Sequence, residues 1–128
     1  FDEIKKIEKK GIDIILDYIG GDYINKNINL LKSDGKLINI GFLKGSQVNI
    51  NLMKIMLKRL TITGSTLRIR EKTYKAKILN DLKKIVFPNF ENGKIKCYID
   101  SVFKLKDVVS SHKYLESGGH IGKIVLEI

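Results

Sequence analysis

The sequence predicts an α/β fold built on a parallel sheet. Short runs of apolar and β-branched residues alternate with segments whose apolar residues recur at helical spacing. The run at 12–17, "IDIILD", lacks the alternation of a half-exposed strand, so we expect it to be covered on both faces. Strand, helix, strand, helix, strand, helix is the order in which right-handed crossovers join parallel strands.

The first helix and the first strand precede a glycine pair. Residues 1–10 place Ile4 and Ile7 on one helical face, and Gly11 follows where a left-handed backbone is common. Because the chain opens in this helical pattern, we expect it to be a fragment with a partner segment upstream. The strand at 12–17 then runs into "YIGG".

A second helix and a second strand follow. Asp22 is placed to cap the helix, whose apolar residues recur at i, i+4 and i+7. These residues are Ile24, Ile28 and Leu31. We expect "SDG" at 33–35 to end the helix and "KLINIG" at 36–41 to form the strand.

The remaining pattern predicts a third strand and a change of organisation. A short helix is expected around Leu52, and "LTITGSTL" at 60–67 is rich in β-branched residues. A longer helix carries Tyr74 and Ile85 and stops before Pro88. The segment at 87–94 is the candidate domain boundary. Beyond it we expect a strand at 97–103, a helix at 106–117 and a final strand at 122–128.

The composition limits the possible function classes. The formal charge is +10, which raises the possibility of a basic module that binds nucleic acid or an acidic partner. Only Arg59, Arg68 and Arg70 are arginines among 24 basic residues, and the lysines are spread along the chain together with many Ile and Asn. AT-rich codons explain this bias without selection for binding. The single cysteine, Cys97, excludes an internal disulfide and a Cys-cluster zinc site, and it favours a reducing, cytoplasmic compartment.

No catalytic constellation stands out, but the predicted strands end in small residues. "DYIGG" follows the first strand, "NIG" follows the second, and "TGSTL" lies in the third. Ligands of open parallel sheets bind beyond the carboxyl ends of the strands, where glycine allows close approach to the backbone. The alternative is that these glycines only make tight turns. Asp17, at the end of its strand, is expected to accept hydrogen bonds from neighbouring backbone.

The first glycine pair is not a dinucleotide-binding turn. "GGDYIN" does not match Gly-x-Gly-x-x-Gly, the turn that holds a pyrophosphate. Residues 15–21 are therefore expected to belong to a later strand of such a sheet, with the phosphate-binding strand upstream.

The order of the motifs resembles a known enzyme family. "GIDIILDYIGG", "LLKSDGKLINIG", "LKRLTITGSTLR" and "SHKYLESGGHIGKIVLEI" are similar to the C-terminal part of zinc-independent quinone oxidoreductases. These zeta-crystallin-like enzymes belong to the medium-chain dehydrogenase/reductase superfamily. The resemblance covers nearly the whole chain.

The resemblance implies the second half of a doubly wound Rossmann sheet, followed by a strand-helix-strand return to the catalytic domain. Residues 1–88 would belong to the nucleotide-binding domain, and 89–128 to the catalytic, GroES-like domain. It further implies an NADPH-dependent enzyme without a metal, whose hydride passes to a quinone or a related enone or carbonyl. Two copies would pair through the strand at 60–67, with no role for a membrane or nucleic acid.

The resemblance also implies cofactor contacts, but no catalytic side chain. The residues carried over as cofactor-binding are Gly20, Gly21, Ile40, Gly41, Phe42, Gly64, Ser65, Thr66, His120 and Gly122. Arg68 and Arg70 follow the third strand. They either form an ion pair or a phosphate contact in the cleft, or lie in solvent at the entrance of the next helix. Because the glycine-rich turn is absent from these residues, we expect this chain alone to bind NADPH poorly and to be inactive. A non-catalytic remnant that only dimerises through 60–67 is a further alternative.

Overall fold

The computed structural model describes residues 1–128, which form two compact units, Phe1–Arg70 and Glu71–Ile128. The structure is of the predicted α/β class, with parallel strands in both units. The assignment of 1–88 and 89–128 to two enzyme domains stays a prediction. None of the helices combines the length and the apolar character needed to cross a membrane.

The first unit is a three-stranded parallel sheet in the order β1-β2-β3. Its elements in chain order are α1 (Asp2–Ile7), β1 (Ile12–Asp17), α2 (Tyr23–Leu30), β2 (Leu31–Asn39), α3 (Leu52–Lys58) and β3 (Thr61–Gly64). Each strand is followed along the chain by a helix, as the sequence predicted, and the helix after β3 belongs to the second unit. The parallel pairing brings the carboxyl ends of all three strands to one edge.

The core of this unit lies between the sheet and helices α2 and α3. Five buried apolar side chains form it: Ile24, Ile28, Leu31, Leu37 and Leu60. Ile15 of β1 packs against this cluster, whereas its neighbours Ile14 and Leu16 are 58% and 60% exposed. Successive side chains of a strand point to opposite faces. The expectation that β1 is covered on both faces is therefore wrong for this chain, since only the face carrying Ile15 is covered.

The junction between α2 and β2 differs from the prediction. The helix ends at Leu30, and Leu31 already pairs with Ile12 of β1. The pairing then shifts, because Ile14 lies opposite Lys36. The "SDG" segment at 33–35 is thus a bulge between two paired parts of β2, where Asp34 adopts a positive φ of 64°.

The second unit contains two helices and a strand-helix-strand motif. Its elements are α4 (Lys72–Ile85), α5 (Phe87–Glu91), β4 (Ile99–Lys104), a 3₁₀ turn (Leu105–Asp107), α6 (Val108–Ser117) and β5 (Lys123–Glu127). Strands β4 and β5 are parallel neighbours. The predicted stop before Pro88 is confirmed, but a short helix that the sequence pattern did not predict begins at Phe87. Proline is tolerated in the first turn of a helix.

Candidate functional site

A cleft of about 570 Å³ lies at the carboxyl ends of β2 and β3. It brings together six of the residues predicted to contact a cofactor: Ile40, Gly41, Phe42, Gly64, Ser65 and Thr66. Its other lining residues are Asn39, Ile69 and Arg70. Of the two arginines expected either at the cleft or in solvent, Arg70 lines the cleft and Arg68 does not. A cleft beyond the carboxyl ends of parallel strands is where ligands of such sheets bind.

The two strand ends are held side by side. Asn39 and Gly64 are register partners in the parallel pairing, and the Ser65 N–H donates to the Asn39 carbonyl at 2.9 Å. A Cβ atom placed on Gly64 would meet only that carbonyl oxygen, at an ordinary contact distance of 3.4 Å. Gly64 thus leaves space in the cleft without being required by a left-handed backbone.

The buried carboxylate of Asp17 fixes the ends of β1 and β2. Its side chain accepts from the Ile19 N–H at 2.8 Å, from the Gly20 N–H at 3.3 Å and from the Asn39 amide at 3.2 Å. The Asp17 carbonyl also accepts from the Ile40 N–H at 2.8 Å. The prediction that Asp17 accepts backbone hydrogen bonds is confirmed. Since Asn39 and Ile40 line the cleft, Asp17 is a positioning residue for it.

Gly20 and Gly21 lie beside the cleft wall and do not line the cleft. Both have positive φ angles, and a Cβ on Gly20 would stand 2.7 Å from the Phe42 ring and 2.6 Å from the Gly45 carbonyl. The Gly21 N–H donates to that same carbonyl at 2.9 Å. The loop at 42–45 therefore occupies the space above these glycines, which seats Phe42 at the cleft. Their assignment as cofactor contacts stays a prediction.

His120 and Gly122 lie in the second unit. They line a hollow of about 310 Å³ between α6 and β5, which His112 also lines. Gly122 has φ +110°, and a side chain there would collide with the Tyr98 carbonyl, to which the Lys123 N–H donates at 2.8 Å. Gly122 is thus required by the close approach of the chain segments that precede β4 and β5.

Asp100 organises the loop that carries His120. Its carboxylate accepts from the Ile121 N–H and from the Tyr114 hydroxyl, both at 2.9 Å. The Ile121 N–H and then the Tyr114 hydroxyl lower the pKa of Asp100, while the hydrogen bond to Asp100 raises the pKa of Tyr114. The buried Nδ1 of His120 has no hydrogen-bond partner, and its ring centroid lies 6.2 Å from that of Tyr114.

The family is decided by a match that covers nearly the whole chain. The model of the family described as "Zinc-binding dehydrogenase" matches residues 1–126. The chain belongs to the zinc-binding dehydrogenase family. Membership of the medium-chain dehydrogenase/reductase superfamily is thereby confirmed. The narrower prediction of a zinc-independent quinone oxidoreductase stays a prediction.

Known relatives of this dehydrogenase chain are considerably longer. The synaptic vesicle membrane protein VAT-1 homolog of Danio rerio is 28% identical over 141 residues, which cover 98% of this chain and 29% of the relative. A structure of an NAD-dependent alcohol dehydrogenase has a TM-score of 0.75 at 24% identity and covers 99% of this chain and 34% of that one. A mycobacterial protein in complex with NADPH has a TM-score of 0.73 at 15% identity and covers 99% of this chain and 38% of its own. The chain thus spans about a third of their length, and the two structures show that the fold is shared.

The family name raises the question of a zinc site in this dehydrogenase chain. Zinc is held by three or four Cys, His or carboxylate ligands in one place. The only cysteine of the chain, Cys97, is exposed. No group of three or more His, Cys, Asp or Glu side chains is arranged to hold a metal ion. The residues present do not fit a zinc centre, and no step of the proposed chemistry uses one.

Proposed function

We propose that this chain is part of a nicotinamide-dependent reductase and that its cleft at 39–42 and 64–66 receives the nicotinamide ring. The observation that carries the proposal is the meeting of two parallel strand ends, where Gly64 leaves open space between apolar walls. The names of two structural neighbours, an NAD-dependent enzyme and an NADPH complex, support a nicotinamide cofactor.

The residues of the cleft suit a planar, largely apolar ring. Ile40, Phe42 and Ile69 would exclude water from one side, while the backbone at Gly41 and Gly64 permits close approach. The hydroxyls of Ser65 and Thr66 are available to orient a polar group. When bound, the reduced nicotinamide supplies a hydride, and a proton completes the reduction of the acceptor. The protein therefore needs no nucleophile of its own at this position.

We further propose NADPH as the cofactor and a quinone, or a related enone or carbonyl, as the hydride acceptor. The order of motifs that resembles quinone oxidoreductases supports this narrower reading. The same resemblance supports a homodimer joined through 60–67 and a cytoplasmic location. The chain alone, which lacks a glycine-rich phosphate-binding turn, is expected to bind NADPH only weakly and to show no turnover.

The substitution Gly64→Val tests the proposed ring site in the natural polypeptide that carries this chain. The added side chain would project into the open space, whereas valine itself suits a strand. We expect the KM for NADPH to rise about tenfold, because the valine side chain would occupy space proposed for the ring, and overpacking of that kind typically costs about 1–3 kcal/mol. The measurement is quinone-dependent oxidation of NADPH, followed by the loss of nicotinamide absorbance, with NADH assayed in parallel.

Gly119→Val is the matched control. Gly119 has no positive φ, and a Cβ there would meet only the Ser117 hydroxyl at 3.6 Å. It lies in the second unit and does not line the cleft, so its variant should keep the wild-type KM. If the Gly64 variant is active and its KM for both NADPH and NADH is unchanged, the nicotinamide ring does not bind in this cleft.

A further inference from the structure

A second cleft lies at the opposite end of the first sheet, where β1 and β2 begin. It has a volume of about 400 Å³ and is lined by five lysines and one acid. We call it the lysine cleft, and its charged residues are Lys5, Lys9, Lys10, Lys32, Lys58 and Glu8. The proposed ring site does not use it, because that site lies at the carboxyl ends of the strands.

The lysines of this cleft are only partly neutralised. Lys5 lies 3.5 Å from Asp2, and Lys32 pairs with Asp13. All four of these side chains are exposed to solvent, Lys32 least at 42%, and exposed pairs contribute little. Lys9 and Lys10 form no ion pair with any acid of the chain. Their ammonium groups are therefore free to meet an incoming anion.

Lys58 removes an obstacle to anion binding at this position. The carbonyl end of α2 reaches the cleft and would repel a negative group through the helix dipole. The Lys58 ammonium donates to the carbonyls of Ile28, Asn29 and Leu31 at 3.2, 3.0 and 2.6 Å. Burial and then the charge on Lys54 lower the pKa of Lys58. The helix end therefore presents a fixed ammonium instead of bare carbonyls.

We propose that the lysine cleft binds a carboxylate-rich segment of a partner polypeptide. Charge complementarity favours an anion, and the lining decides which kind. No aromatic ring lines the cleft, so it offers no platform for stacking nucleic-acid bases. It also holds no arginine, so no planar fork is present for two-pronged binding of one compact anion, and its ammonium groups act as separate point charges. Compact ammonium groups on flexible stems suit several separate carboxylates.

The test measures binding of a fluorescein-labelled oligoglutamate peptide to the 128-residue chain by fluorescence anisotropy. We expect binding at low ionic strength that weakens as salt is added, because exposed charges are screened. The double variant Lys9→Glu/Lys10→Glu should weaken binding about tenfold, since each exposed ion pair contributes about 0.2–1 kcal/mol and the reversed charges repel. Lys9→Gln/Lys10→Gln should give a smaller loss in the same direction.

Lys83→Glu/Lys84→Glu is the matched control, because it changes the net charge equally on the exposed end of α4 in the second unit. It should change the affinity by less than about twofold. Equal losses in both double variants would show attraction by net charge alone and overturn the proposal. Absence of peptide binding at low salt would overturn it as well. A labelled oligothymidylate that binds more tightly than the peptide, and loses affinity in the Lys9/Lys10 variants, would assign the cleft to nucleic acid instead.

Discussion

At the scale of single residues, Asp17 links the strand ends that form one wall of the cleft. It is 3% exposed, and its carboxylate accepts from two backbone N–H groups and from the Asn39 amide. We expect Asp17→Ala to destabilise the first unit by about 2–3 kcal/mol, because buried donors then lose their charged acceptor. Hydrogen exchange of the β2 amides, such as that of Leu37, measures this for the first unit alone.

Asp13→Ala is the matched control for Asp17→Ala. Asp13 lies on the same strand, but its side chain is 71% exposed and its only ion pair is with Lys32. Its removal should change the exchange free energy by less than about 0.5 kcal/mol. Equal protection of Leu37 in both variants would mean that Asp17 does not hold the strand ends together.

At the scale of elements, Lys58 joins the end of α3 to the end of α2. The last carbonyls of a helix have no partner inside it, and Lys58 satisfies carbonyls at the end of α2. Burial and then the charge on Lys54 lower the pKa of Lys58, so removing its ammonium group from water opposes part of this gain. We therefore expect Lys58→Met, which keeps the apolar stem, to destabilise the first unit by about 1 kcal/mol. Hydrogen exchange of the α2 amides measures this loss of stability.

The neighbouring Lys54 provides the comparison for Lys58. It donates a hydrogen bond to the Asn29 side chain at 2.7 Å on the exposed surface of the same helix pair. Lys54→Met should therefore have little effect on α2. If both variants loosen α2 equally, the contact with its carbonyls is not what stabilises the helix end.

The elements also show how far sequence patterns reach. Strand β1 has the predicted bounds, 12–17, because its unbroken apolar run is a local signal. Leu31 was assigned to the helix by its i+7 spacing, yet it begins β2 and is 1% exposed. A residue buried at such a junction satisfies both patterns, so periodicity alone cannot separate them. The bulge at 33–35 depends on pairing with β1, which no local pattern encodes.

At the scale of the whole molecule, the candidate site was predicted best where strand order alone decides it. Ile40 to Phe42 and Gly64 to Thr66 meet because parallel strands end at one edge. Gly20 lies against Gly45 and Phe42 instead, a contact between segments that are far apart in sequence. A glycine pattern indicates that something approaches the backbone, but only the fold shows whether it is a ligand or the chain itself.

The open edge of β1 leads to the last prediction, self-association of the 128-residue chain. Strand β1 pairs only with β2, and a groove of about 680 Å³ with exposed Ile14 and Leu16 lies beside it. An apolar edge strand is a template for pairing with another chain. We expect sedimentation velocity to show concentration-dependent association that Leu16→Lys abolishes. Ile121→Lys, which adds the same charge at an exposed site of the second unit, should leave association intact. If only Ile62→Lys abolishes association, the contact is made by β3, the strand proposed to join two copies of the enzyme. A clean monomer at high protein concentration would contradict pairing through either edge.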